Sequence, residues 1–114
     1  MIYDAAIVDD WPPRENRVRA GLWEAEGCLE RRDYLAATSA LARIFGLAGD
    51  EEERVRGLHH LAAAGYKAQT GHPASARRQL RHARRRLAGS AGVAPLVELV
   101  ERDIESAGGE LAQP

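Results

Sequence analysis

The chain has 114 residues, of which 45% are hydrophobic, 29% charged and only 5% aromatic, and its formal net charge is −1. That length suits one domain and can bury one core without staples. The charge excludes a polycation as a whole, the single Cys28 excludes an internal disulfide, and no run approaches the ~20 apolar residues of a membrane span. With so few aromatics the core must come from Leu, Val, Ile and Ala, and a chain rich in Ala, Leu and Arg favours helix. The expectation is an all-α, compact single-domain bundle of about five helices. The lone cysteine and the absence of a signal-peptide pattern at Met1-Ile2-Tyr3-Asp4 predict a cytoplasmic protein with no membrane role.

Residues 1–10 read as an N-terminal arm, apolar at Ile2, Tyr3, Ile7 and Val8. Asp10 is a good N-cap, and Trp11-Pro12-Pro13 follow it, since proline in the first turn of a helix gives up no hydrogen bond. The first helix is expected to reach about residue 31 on a stripe of Val18, Leu22, Ala25 and Leu29. Trp23 flanks that stripe and is expected to pack beside it. Cys28, next to Leu29, reads as a small buried hydrophobe rather than a reactive thiol.

Asp33 looks like the cap of a second helix over 34–45, with Tyr34, Ala37, Leu41, Ile44 and Phe45 inward and Gly46 as its stop. Asp50 and Glu53 have capping-box spacing and open a third helix over 51–70, and the acidic run Glu51-Glu52-Glu53 suits the positive end of its dipole. Ala62-Ala63-Ala64-Gly65 is small on every side, so this helix is expected at the centre. Gly71 ends it. His72-Pro73 opens a fourth helix, with His72 as cap and Ala76, Leu80, Ala83 and Leu87 inward. After a loop at 89–92, a fifth helix is expected over 94–107, stopped by Gly108-Gly109. The bundle domain is therefore set at 11–107 and a flexible tail at 108–114. A short echo relates Asp33-Tyr34, Ala37 and Leu41 to His72-Pro73, Ala76 and Leu80 at an offset of 39. Helix-hairpin repeats and shared helix grammar both produce such echoes.

The fourth helix carries the sharpest chemical signal. Arg77, Arg78, Arg81, Arg84, Arg85 and Arg86 decorate it, with His82 among them and no acid between His72 and Gly89. Arginine makes bidentate bonds to phosphate and carboxylate alike. One reading is a nucleic-acid or polyanion surface formed by Arg77, Arg78, Arg81, Arg84 and Arg85. The others are an acidic protein partner, or a solvated face neutralised by Glu98, Glu101, Asp103 and Glu105 or by Glu24, Glu26 and Glu30. No aromatics are interleaved there to stack on bases.

No metal site or cofactor is expected. His59 and His60 are adjacent and point about 100° apart on a helix, and His72 and His82 are nearly three turns apart. Ser39, Ser75 and Ser90 sit in no triad context, so no catalytic residue is assigned. Thr38, Ser39 and His60 are a candidate pocket between the second and third helices, although His60 also reads as a satisfied core histidine. The leading functional expectation is a non-enzymatic protein-interaction or scaffold module that binds a protein partner or self-associates, through an exposed apolar patch around Trp11, Trp23 or Tyr3. Nucleic-acid or polyanion binding through the fourth helix is the alternative, and an enzyme with a small site between helices two and three is the third reading.

The stretch from Leu29 to Ala37 through Asp33-Tyr34, and Arg56-Gly57-Leu58 through Gly71 to Ala76 and Leu80, resembles the bacterial and archaeal family called domain of unknown function 309. The likeness covers roughly residues 22–88. It implies a compact helical bundle and no established activity. The family's signature is a His-Glu pair in the second helix followed by a Trp. Here Thr38 and Ser39 stand at the pair's positions and Phe45 at the Trp. His60 replaces the usual Gln and His72 the usual Asn. Any chemistry of that pair is absent from this chain.

Overall fold

The computed structural model describes residues 13–112, with side chains described as far as Gly108. The arm at 1–10, the Asp10 cap and Trp11-Pro12 lie outside the described residues. Among the described residues all regular structure is helical: α1 (Arg14–Glu30), α2 (Tyr34–Ala42), α3 (Glu52–Gln69), α4 (Pro73–Leu87) and α5 (Ala94–Ala112), with a 3-10 turn (Gly49–Glu51) leading into α3. α3 is central, as its small residues require, and packs on each of the other four helices.

α1 starts directly after Pro13, whose carbonyl accepts from the N–H groups of Asn16 and Arg17. Val18, Ala25, Cys28 and Leu29 are buried on its inner face, and Leu22 packs partly buried against them. Trp23 does not pack beside the stripe. It is 79% exposed, because one residue past Leu22 is a 100° turn away from the core.

The α1–α2 junction is held by two backbone bonds: Asp33 N–H donates to Cys28 O at 2.8 Å and Arg32 N–H to Leu29 O at 3.0 Å. This reciprocal closure needs a left-handed residue between the helices, and Arg32 supplies it with φ 60°. For a residue with a Cβ that conformation costs about 1–2 kcal/mol. The α3–α4 junction repeats the arrangement. His72 N–H donates to Lys67 O at 2.8 Å and Gly71 N–H to Ala68 O at 3.2 Å, with Gly71 at φ 82°. The echo at offset 39 thus extends to the two left-handed positions, Arg32 and Gly71. Asp33 caps α2 through Ala36 N–H, as expected. His72 occupies the equivalent position of α4 without a side-chain cap; its Nδ1 lies 3.2 Å from Thr70 Oγ1 instead.

Four helix limits differ from the expectation. α1 begins at Arg14 with Pro13, not Asp10, in the N-cap position. α2 ends at Ala42 rather than 45, because Ile44, Phe45 and Leu47 switch to bonds three residues back and tighten the chain into turns before Gly46. The Asp50–Glu53 capping box does not form, since residues 49–51 make the 3-10 turn and Glu51, at the N-cap of α3, has no side-chain cap bond. The acidic run serves the preceding segment instead: the Glu52 carboxylate accepts Gly46 N–H at 3.1 and 3.3 Å. α5 does not stop at Gly108-Gly109 but continues through both to Ala112. Glycine weakens a helix by about 1 kcal/mol, which packing of the preceding turns can offset.

The core is built from aliphatic and small side chains around Tyr34, the largest fully buried residue. The Tyr34 ring lies directly over Gly65 of α3, inside the space a Cβ would need. Its hydroxyl donates to Asp103 Oδ2 of α5 at 2.6 Å, and the other oxygen of that carboxylate pairs with Arg32 Nε at 3.3 Å. Gln69 of α3 donates to the Arg32 carbonyl at 3.0 Å. The left-handed junction is therefore clamped from two helices. Burial first, then the hydrogen bond and charge of Asp103, push the Tyr34 hydroxyl well above its ordinary value.

Candidate binding surface

From Arg54 through Val97 the chain contains no Asp or Glu, yet it holds eight arginines, Lys67 and all four histidines. The remainder carries seven basic residues against all 17 acidic ones. Helical folding turns this asymmetry into a surface. Ala76, Leu80, Ala83 and Leu87 of α4 are buried, and the 100° step per residue puts Arg78 and Arg85 on the opposite side with Arg81 beside them.

Packing divides the α4 arginines into two groups. Arg84 pairs with Glu101 of α5, and Arg86 Nη1 lies 2.9 Å from Glu53 Oε1 of α3. Arg77 extends over Gly108, its guanidinium 2.8 Å from where a Cβ would stand. Arg78, Arg81 and Arg85 are exposed and make no ion pair among the described residues. Three of the seven acids expected to neutralise α4 are engaged elsewhere, Asp103 with Arg32, Glu24 with Arg43, and Glu26 with Arg54, and only Glu101 pairs with α4. Glu53 was not among the expected partners.

The adjacent histidines diverge, as their spacing requires. His59 meets the Phe45 ring edge-on at 4.9 Å, and the Arg56 guanidinium caps the same ring at 4.6 Å. His60 turns toward α4, where Nδ1 lies 2.8 Å from Gln79 Oε1 and its ring is 5.3 Å from that of His82. Burial, then His60 and Arg56, lower the affinity of His59 for a proton. His82 is shifted the same way by desolvation, then by His60, Arg85, Arg81 and Arg86. Both histidines thus bind a proton less readily in the fold than in the unfolded chain. Below the ordinary histidine value of about 6.5 the unfolded chain binds protons that the fold does not, so stability falls with acidification. The melting temperature is expected to decline from pH 7 to pH 5, and His59→Gln to flatten that decline; a pH-independent melting temperature would contradict it.

Thr38 Oγ1 donates to the Leu35 carbonyl at 2.7 Å and Ser39 Oγ to the same oxygen at 3.3 Å, while His60 faces α4. Among the described residues no three His, Cys, Asp or Glu side chains are grouped to hold a metal ion, and no helix is long and apolar enough to cross a membrane. Trp23, Leu35 and Tyr66 are the large exposed hydrophobics of the described residues, one each on α1, α2 and α3; Trp11 and Tyr3 lie outside them. Comparison with protein-family models, with curated proteins and with solved structures finds no match.

The acid-free run could be read by counting along the chain. Which of the α4 arginines are paired could not, because it depends on how α4 is rotated against α3 and α5.

Proposed function

We propose that this chain is a non-enzymatic interaction module that docks an acidic partner on the outer ridge of α4. The observation that carries the reading is the ridge itself: Arg78, Arg81 and Arg85 face solvent without an acidic partner among the described residues. Three unpaired guanidiniums within two turns repel one another and attract carboxylates or phosphates. The test is retention on immobilised polyglutamate at low salt. The wild type is expected to bind, and R78Q/R81Q/R85Q, with unchanged helical circular dichroism, to pass through. Equal retention of both proteins would sink the reading.

Nucleic acid is the second reading, favoured by the absence of any large apolar side chain among the exposed residues of α4. Protein interfaces draw most of their affinity from buried aromatic and arginine anchors, whereas nucleic-acid binding runs on charge neutralisation. A short DNA duplex in the same assay separates the two. Retention on duplex with none on polyglutamate would favour this second reading.

A further inference from the structure

The α5 helix carries the mirror image of the α4 ridge. Glu98, Glu101 and Glu105 repeat the i, i+3, i+7 spacing of Arg78, Arg81 and Arg85. Val100, Ile104 and Ala107 are buried, and Glu98 and Glu105 are exposed on the opposite side. Neither makes an ion pair among the described residues. Arg102 is turned a further 100° from Glu101, away from α4.

The two ridges also share a level. Arg84 pairs with Glu101 and Arg77 lies over Gly108, so α4 and α5 run antiparallel. Arg85 therefore stands near the height of Glu98, and Arg78 near that of Glu105. One face of the molecule thus presents a basic ridge and an acidic ridge side by side. Between them, at the loop end, lies a shallow cavity of about 380 Å³ with Leu87, Val93 and Val97 in its lining.

Such a face is complementary to itself under a two-fold axis parallel to the helices. The rotation lays α4 of one copy on α5 of the other and keeps each residue at its height, as a closed isologous interface requires. Resting on the reading that α4 docks an acidic surface, we propose that the acidic surface is α5 of a second copy of this chain. Arg78, Arg81 and Arg85 of one copy meet Glu105, Glu101 and Glu98 of the other, and the reciprocal set forms at the same time. The partly buried Val97 lies beside its own copy at the loop end. Most of the energy is electrostatic at exposed positions, so the dimer is sensitive to salt.

The experiment is a charge swap read by sedimentation. The wild type is expected to be dimeric at about 20 mM salt and monomeric at about 500 mM, where the screening length falls to a few ångströms. R78E/R85E and E98R/E105R each place like charges across the interface, and each alone is expected to dimerise about tenfold or more weakly. Mixed in equal amounts they regain opposite charges at both contacts, so a heterodimer is expected. All four positions are exposed, and helical circular dichroism checks that the variants fold. A wild type that stays monomeric at low salt, or a mixture that stays monomeric, overturns the proposal. If the wild type is monomeric but still retained on polyglutamate, the dimer falls and the acidic-partner reading stands. If polyglutamate retention also fails, both fall.

Discussion

Replacing Gly65 by alanine is expected to destabilise the protein by about 3 kcal/mol and lower the melting temperature by about 10 °C or more. Helix propensity alone predicts the opposite sign, since alanine is favoured over glycine by about 1 kcal/mol inside a helix. The difference lies in what the new methyl meets. At Gly65 it would enter the Tyr34 ring, which is 1% exposed. That ring is also tied at its far end to Asp103, so it cannot slide away without breaking that part-buried bond. Gly27 is the control. There the nearest atom is Nη1 of Arg31 at 3.2 Å, the free end of a flexible side chain, so Gly27→Ala is expected to stabilise by up to about 1 kcal/mol. Thermal melts of the two variants should move in opposite directions. A Gly65→Ala protein at least as stable as the wild type would mean that the ring is not seated as described.

The second large effect is expected at Asp103. Its carboxylate is the hydrogen-bond partner of the buried Tyr34 hydroxyl and also holds Arg32. Asp103→Ala leaves that hydroxyl without an acceptor and should cost about 2–3 kcal/mol, mostly the penalty of an unsatisfied buried donor. The Arg32 ion pair contributes little of this, because the arginine side chain is half exposed. Asp103→Asn keeps an acceptor and should cost about half as much, and Tyr34→Phe about 1 kcal/mol. The double variant Tyr34→Phe/Asp103→Ala should be less destabilised than the sum of its parts, because the orphaned donor is gone. Urea denaturation measures all four. Strict additivity would show that the hydroxyl and the carboxylate do not depend on one another.

What could be read along the chain, and what could not, divides by range. The inward stripes of α1, α3 and α4 follow from residue spacing, and Asp33 and Gly71 marked true junctions because local geometry demands those residue types. The same local grammar misplaced the end of α2 and the start of α3. Several acids stood close together, and only packing shows that Glu52 turns back to Gly46. Arg32 in a left-handed conformation was invisible, because nothing in an arginine announces it; it is held by Asp103 and Gln69, 71 and 37 residues away. Trp23 was misjudged for the converse reason. An apolar side chain beside a stripe gives no signal of which flank it occupies. For the candidate surface, the cluster of arginines was plain, but its division into neutralised and free members required the relative rotation of three helices.

The acid-free run from Arg54 through Val97, which spans most of α3 and all of α4, makes the molecule an electric dipole, although its net charge is close to zero. A dipole of this kind is not felt only at contact. Over roughly one screening length it turns an approaching molecule before the surfaces touch. Two copies, or a copy and an acidic partner, would therefore meet already oriented, and the rate of encounter should fall with ionic strength along with the affinity. The near-neutral sum of charges hides this behaviour; their placement along the chain produces it.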